Sequence, residues 1–331
     1  MKPSLLLKRS ALAASIALLS SLAAAAGLDD PGRAVYQKAF QGKRVVFIPV
    51  AMSYDLAQGW SAGLRRELEP LGGKFEIRDP NWNTSAGAQA ITSLIAEKPD
   101  AIVVNVPDVS SYSKLLQRAE AAGIHVVQIN MRTNVPVGVF IGADFVRMGE
   151  MAAERLASVC KGKSGKIALV QGVPTAAGSA YLLKGVENVL AKNPQLTVVS
   201  NQAADWDASK AKAITQTVLQ QHKDLCGVVG FWDGMDSGTS AAIKEAGMTG
   251  KVTLVSSGGG NQTACDAVKS GAYDYYISFD VPGQVRDMST LIRALLSGAK
   301  PGAVPATIYN NLVAITKDNA DSACWSMKTF Q

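Results

Sequence analysis

Histidine is nearly absent from this chain: His125 and His222 are the only two in 331 residues. That scarcity takes away the commonest metal ligand and the usual general base, and both histidines fall where elements are expected to begin, away from strand ends. Cysteine is sparse too, at four, and no pair has the spacing of a zinc site. The Gly-x-Gly-x-x-Gly and Walker patterns are missing. Gly258, Gly259 and Gly260 follow a late strand rather than the first, so they make a poor dinucleotide or NTP cradle. Ser111-Tyr112-Ser113-Lys114 matches Ser-x-x-Lys, but no Lys-Thr-Gly partner exists and a helix start explains the serines. There is no dense Lys/Arg stripe to suit nucleic acid. These gaps argue against an enzyme, a metalloprotein, a cofactor-dependent protein and a nucleic-acid binder.

What is present begins with a leader. Lys2, Lys8 and Arg9 precede an apolar run from Ala11 to Leu22 that closes in Ala24-Ala25-Ala26 before Gly27. This is the pattern of a secretory signal peptide, residues 1–26, with cleavage expected after Ala26. Its removal takes three positive charges away and lowers the net charge from +6 to about +3. No second long apolar run follows, and no cysteine follows the cleavage site. A soluble protein diffusing in a bacterial periplasm is expected, without a lipid anchor.

With 47% hydrophobic and 18% charged residues, the remainder is globular and long enough for about two domains. Two stretches share one grammar. Lys98-Pro99-Asp100 leads into Ala101 to Val104, ends in Asn105-Val106-Pro107-Asp108, and its helix closes at Gly123. Lys223-Asp224 leads into Gly227-Val228-Val229, ends in Trp232-Asp233, and its helix closes at Gly247. An unbroken apolar run of this length reads as a parallel strand buried on both faces. The expected fold is α/β: two similar doubly wound parallel-sheet, Rossmann-like lobes joined by a hinge. Their boundaries are 43–143 plus 281–308 for the first lobe and 144–280 plus 309–331 for the second. A helix capped by Thr84 or Ser85 and a closing strand from Ile308 to Ile315 belong to the same reading.

In an oxidising compartment the four cysteines invite pairing. Cys160 should end a helix and Cys226 should begin a strand, both at the sheet end remote from the ligand crevice, which favours Cys160 with Cys226. Cys265 with Cys324 is the remaining pair, and four unpaired apolar fillers are the alternative.

Ligands of open α/β sheets lie beyond the carboxyl ends of the strands. The residues there include Ser53, Tyr54, Asp55, Trp82, Asn83, Asn105, Asp108, Asn130, Arg132, Asp144, Trp206, Asp207, Trp232, Asp233, Asn261 and Asp280. Paired donors and acceptors mixed with flat rings suit a small polyhydroxylated ligand, whose hydroxyls need both and whose C–H faces lie on aromatic rings. Asp207 reads better as a helix N-cap, whereas Asp55, Asp233 and Asn83 fit either role.

Several of these features occur together: Ser53-Tyr54-Asp55 after the first strand, Asn105 at the third, Ala143-Asp144-Phe145 at the first crossing, Ala204-Asp205-Trp206-Asp207, and Asp280-Val281-Pro282-Gly283-Gln284 at the second crossing. Over nearly all of the chain after residue 26, this pattern resembles the periplasmic sugar-binding proteins of ABC importers, the ribose-binding-like group of type I folds. The resemblance implies ligand contacts at Tyr54, Asn105, Asn130, Trp206, Trp232 and Asp280. It also implies a monomer that hands a small sugar or polyol to an ABC permease. Three positions depart from the pattern. An Asp-Arg pair is replaced by Asn130-Met131 with Arg132 one place later, an arginine by Leu182 with Tyr181 beside it, and an aspartate by Gly258. With Trp82 and Trp232 added, a smaller or less polar polyol, or a cationic ligand in an aromatic cage over Asp280, stays open. So does a sensor role linked to a chemoreceptor, which shares the same ligand step. A transcription regulator of this fold would need a helix-turn-helix where the leader stands.

Overall fold

Short runs of Val, Ile and Ala set the strands in the computed structural model, which describes residues 30–331; the expected leader lies outside them. The strands are β1 (Arg44–Ile48), β2 (Lys74–Ile77), β3 (Ala101–Val104), β4 (His125–Ile129), β5 (Val139–Ala143), β6 (Lys166–Gln171), β7 (Thr197–Ala203), β8 (Gly227–Gly230), β9 (Thr253–Gly258), β10 (Tyr275–Ser278), β11 (Thr307–Asn310) and β12 (Val313–Ile315). Between them run α1 (Pro31–Lys38), α2 (Asp55–Leu68), α3 (Thr84–Glu97), α4 (Ser113–Ala121), α5 (Phe145–Val159), α6 (Ala177–Leu190), α7 (Ala208–Gln221), α8 (Asp233–Glu245), α9 (Gln262–Ser270) and α10 (Val281–Leu296). No helix among the described residues is long and apolar enough to cross a membrane.

The strands form two six-stranded sheets, in the orders β11-β5-β4-β3-β1-β2 and β12-β10-β9-β8-β6-β7. Each lobe thus repeats the doubly wound order 2-1-3-4-5, with a switch point at β1/β3 in the first and β6/β8 in the second. All pairings are parallel except that of β10 with β12. The central strands β3 and β8 are buried along their whole length, as their unbroken apolar runs require.

Three crossings join the lobes. β5 passes through Asp144 into α5, which packs on the second sheet. β10 passes through Asp280 into α10, which packs on α2 and the first sheet. β11 in the first sheet passes directly to β12 in the second. The single closing strand expected from Ile308 to Ile315 is therefore two strands, and the third crossing follows Asn310 rather than residue 308. An apolar run cannot reveal that its two halves pair in different sheets. The cap of α3 also differs from expectation: Asn83, not Thr84 or Ser85, holds it, its Oδ1 accepting from Ala86 N at 3.0 Å.

Both disulfides form, Cys160–Cys226 with Cα atoms 5.8 Å apart and Cys265–Cys324 at 6.1 Å. The second pins the C-terminal tail to α9, and the tail then crosses back to the first lobe. Trp325 Nε1 donates to the Gly259 carbonyl at 2.6 Å, and Arg66 of α2 donates to the Thr329 carbonyl at 2.7 Å. A side chain at Gly59 would meet the Trp325 indole at 2.8 Å, so only glycine lets the tail lie so close to α2.

Replacing Cys265 and Cys324 by serine should lower the unfolding free energy by about 2–4 kcal/mol, because the bridge closes a long loop in the unfolded chain. Urea unfolding of this variant beside the native protein checks it. A loss within error would mean that the tail's other contacts hold it unaided.

Candidate functional site

The site begins with a turn that the chain makes twice. After β2 the residues are Pro80-Asn81-Trp82-Asn83, and after β7 they are Ala204-Asp205-Trp206-Asp207. Both central residues are left-handed in each, with φ of 48° and 64° at Asn81 and Trp82 and of 53° and 65° at Asp205 and Trp206. The amide of the fourth residue closes each turn on the carbonyl of the first, at 3.0 Å for Asn83 and 2.9 Å for Asp207. That fourth residue then caps the next helix, Asp207 Oδ1 accepting from Lys210 N at 2.8 Å. Left-handed backbone costs a non-glycine residue roughly 1–2 kcal/mol. Strain of this kind collects where a side chain must be aimed. Here each turn aims an indole at the space between the lobes. Trp206 lies so close to Gly172 that any side chain there would collide with its ring.

The indoles belong to a chain of four rings. Centroids are 5.6 Å apart for Trp82 and Tyr54, 6.0 Å for Tyr54 and Trp232, and 6.1 Å for Trp232 and Trp206. Trp82 and Tyr54 come from the first lobe, Trp206 and Trp232 from the second. Below them, at the first two crossings, Phe145 and Phe279 meet edge to face at 5.9 Å. These rings, with Asn105, Asn130, Met131, Asp108 and Phe231, line a cavity of about 690 Å³, within the range of small-molecule sites.

Polar groups on the first-lobe wall are partly committed. The Tyr54 hydroxyl donates to Asn105 Oδ1 at 2.8 Å, and Asn105 Nδ2 donates to the Ile129 carbonyl at 2.9 Å. Desolvation, reinforced by the Asp55 and Asp79 charges, pushes the Tyr54 phenol far up, so it stays a neutral donor. Asn130 is different. It sits in a left-handed conformation, 6% exposed, and its Oδ1 has no partner. Trp232 Nε1, across the cavity, also has none. A buried polar atom left unpaired costs about 1–3 kcal/mol. One acceptor and one donor thus lie unpaired and shielded from solvent in residues that line the cavity from opposite sides.

Behind the second-lobe wall lies a set of buried carboxyls. Asp233 Oδ2 accepts from the Tyr276 hydroxyl at 2.6 Å, and Asp236 Oδ2 accepts from Ser256 Oγ at 2.6 Å. Burial, then the charge of Asp55, pushes Asp233 up to about 7. Burial also raises Asp236 and Asp55. Asp55 accepts from the Asn261 side chain, which ties the first lobe to the second.

The structure brings Tyr54, Trp82, Asn105, Asn130, Trp206 and Trp232 onto the cavity. It places the other expected residues elsewhere, each for a local reason. Ser53 accepts from Trp82 Nε1 at 3.1 Å. Asp55 is spent on Asn261, and Asp233 on Tyr276. Asp144 and Asp280 cap α5 and α10, accepting from Arg147 N at 3.0 Å and Gly283 N at 3.1 Å. Arg132 turns outward, donating to the Tyr309 hydroxyl at 3.1 Å with its guanidinium 5.0 Å from the Phe140 centroid, and Tyr181 lines the same outer hollow. The aromatic cage therefore does not lie over Asp280. Asp207 does both jobs, capping α7 and lining the cavity. His125 and His222 do not line the cavity.

Sequence reasoning did not single out Asp205, Met131, Phe231 or Phe279 as lining residues. Asp205 could have been found from its place in the repeated turn. The phenylalanines look like ordinary strand-end core residues.

A family profile described as periplasmic binding protein domain matches residues 45–300. The ribose import binding protein of Bacillus subtilis is 32% identical over 208 residues, 62% of this chain and 66% of that protein, just under two thirds of its length. The xylitol-binding protein of Mycolicibacterium smegmatis is 29% identical over 248 residues, 73% of this chain and 68% of that protein. A solved ABC-transporter solute-binding protein from Burkholderia graminis, in complex with D-arabinose, superposes with a TM-score of 0.79 at 22% identity. It covers 86% of this chain and 99% of its own.

The carboxyls behind the wall give stability a pH slope. A folded-state pKa above the ordinary value means that the folded chain holds the proton longer than the unfolded one. The associated stability is full below about pH 4 and is lost as pH rises through about 7 at Asp233. Tm should therefore fall between about pH 5 and 8, and Asp233→Asn should flatten that fall. Thermal unfolding across this range decides it, and an unchanged slope in the variant would remove Asp233 as its source.

Proposed function

Because the chain belongs to the periplasmic binding protein family, whose members bind substrates rather than transform them, we propose that it is exported to the periplasm. There it captures a small sugar or polyol between its lobes and delivers it to an ABC permease. The observation that carries this reading is the cavity between the lobes, lined by rings from both sides and by Asn130 and Trp232, each of which keeps one buried polar atom unpaired, an acceptor Oδ1 and a donor Nε1. A hydroxyl answers both. The ribose- and xylitol-binding relatives support the substrate class.

Binding and closure are one equilibrium in this reading. Asn130, Asn105 and Tyr54 move with residues 43–143 and the returning segment from 281 through the end of β11; Trp206 and Trp232 move with the remainder. Only lobes brought together offer a solute both walls, so the solute shifts the population toward that state by the difference in contact energy. The exported protein acts as a monomer, since one chain supplies both walls.

Thermal unfolding against pentoses, hexoses and linear polyols tests the reading. A solute at 100 times its Kd adds about 2.7 kcal/mol, which raises Tm by several degrees in a chain of this size. Trp232→Phe keeps the ring and deletes the N–H, so it should weaken binding about 3- to 10-fold. Trp206→Ala, which removes a wall, should weaken it more. Native affinity in both variants would place the site elsewhere.

A further inference from the structure

Charge sorts the candidate solutes further. Among the described residues that line the cavity none is Lys, Arg or His, whereas Asp108, Asp205 and Asp207 all do. Arg132, the cation that the sequence brings nearest, is parked outside on Phe140 and Tyr309. Lys210 reaches Asp205 at 2.9 Å from the solvent side. Asp108 has no such cationic partner among the described residues. Its carboxylate accepts from Ser110 N and Oγ and Ser111 N at 2.8 to 2.9 Å, and from Ser111 Oγ. Desolvation alone would raise this group, but those hydrogen bonds outweigh it and hold it below its ordinary value. Asp108 is thus a carboxylate at neutral pH, facing a largely apolar cavity.

Two independent features point the same way. Asn130 Oδ1 is a buried acceptor on the same wall, with no donor among the described residues. The faces of Trp82, Tyr54, Trp232 and Trp206 carry the negative side of the ring quadrupole, which attracts a cation within about 6 Å of a centroid. An anion would meet acceptors, ring faces and three carboxylates, with no cationic side chain among the described lining residues to offset them. A neutral hydroxyl satisfies Asn130 and leaves Asp108 without a counter-charge. A protonated amine supplies N–H donors, positive charge and a cation for the rings at once.

We propose that the solute is a small hydroxylated compound bearing a protonated amine, an amino sugar or amino polyol, whose ammonium group sits against the ring faces between Asn130 Oδ1 and the Asp108 carboxylate. This rests on the solute-binding reading above and narrows its substrate class. Asp108 is then the specificity-determining residue. The hydroxyls of the solute meet Trp232 Nε1 and the remaining amide groups, which is why rings and amides stand together in one cleft.

Isothermal titration of the protein, stripped of carried-over solute by unfolding and refolding, tests the proposal with matched pairs. The probes are 2-amino-2-deoxy-D-glucose beside D-glucose, an amino-inositol beside inositol, and an amino-pentitol beside its pentitol, at pH 7 and low salt. At least one amine should bind about tenfold more tightly than its neutral partner. In Asp108→Asn, which keeps the turn-capping oxygen, that preference should vanish while the neutral partner's Kd changes less than about 3-fold. Equal or tighter binding of the neutral partners overturns the proposal and leaves the sugar or polyol reading standing. An amine preference that survives in Asp108→Asn overturns the role of that carboxylate. Binding of neither class across the panel overturns both the proposal and the reading it rests on.

Discussion

A parallel strand buried on both faces has nowhere along its length to present polar chemistry. Eleven of the twelve strands here run parallel to a neighbour in their sheet, and the central ones are apolar throughout. Most of the polar chemistry is therefore pushed to the strand ends, where loops and helix N-termini take over. Because three crossings join the lobes side by side, the carboxyl ends of both sheets open onto one space. The cleft follows from the sheets, and the residues in it are those that each strand end could not bury.

The repeated topology of the two lobes gives the cleft two matching walls, and the residues around each turn make those walls differ. The Asn81-Trp82 and Asp205-Trp206 turns share dihedrals, closing hydrogen bonds and an Asx cap at the fourth residue. One indole stays at the rim, 46% exposed and bonded to Ser53, while the other beds onto Gly172. The first-lobe wall carries a fixed relay from Tyr54 through Asn105 to the Ile129 carbonyl, ending beside the unpaired Asn130. The second carries Asp205 and Asp207 on its surface and the buried carboxyls behind it. A strained turn conserved in shape on both walls, with different chemistry around it, is what a doubled fold gives when each copy acquires its own task.

How much of this the sequence disclosed depends on the range of the interaction. The two α/β halves, the crossings at Asp144 and Asp280, and the place of Tyr54, Trp82, Asn105, Asn130, Trp206 and Trp232 on the cavity follow from strand ends, which apolar runs mark clearly. The pairing of Cys160 with Cys226 followed from the same layer argument. Asp144 and Asp280 misled because a carboxylate just before a helix is equally a cap and a ligand, and both turn their side chains to the helix amides. Arg132 misled because a one-residue offset past a strand end sends a side chain to the outer face, and Tyr181 because neighbouring positions on a helix point to different sides. The split of the last apolar run between two sheets, and the return of Trp325 onto α2, depend on partners far away in sequence and left no local mark.

Those distant partners also decide what holds the lobes together. Asp55 opens α2 and Asp233 opens α8, so two helix N-termini, each with a favourable field for negative charge, carry acids into the seam between the lobes. The helix field is outweighed: burial raises both carboxyls, and Asp233 also feels the charge of Asp55. Asn261 spans to Asp55, and the tail lays Trp325 over Gly59 only four residues further along the same helix. Parting the lobes here would rehydrate Asp55 and Asn261 while exposing the Trp325 face, so the polar half of the seam favours opening and the apolar half resists it. At this size, one indole face offsets about one poorly solvated carboxyl pair, each amounting to a few kcal/mol. In the proposed reading, opposed terms of this kind would let the few contacts of a small solute in the cleft tip the lobes one way.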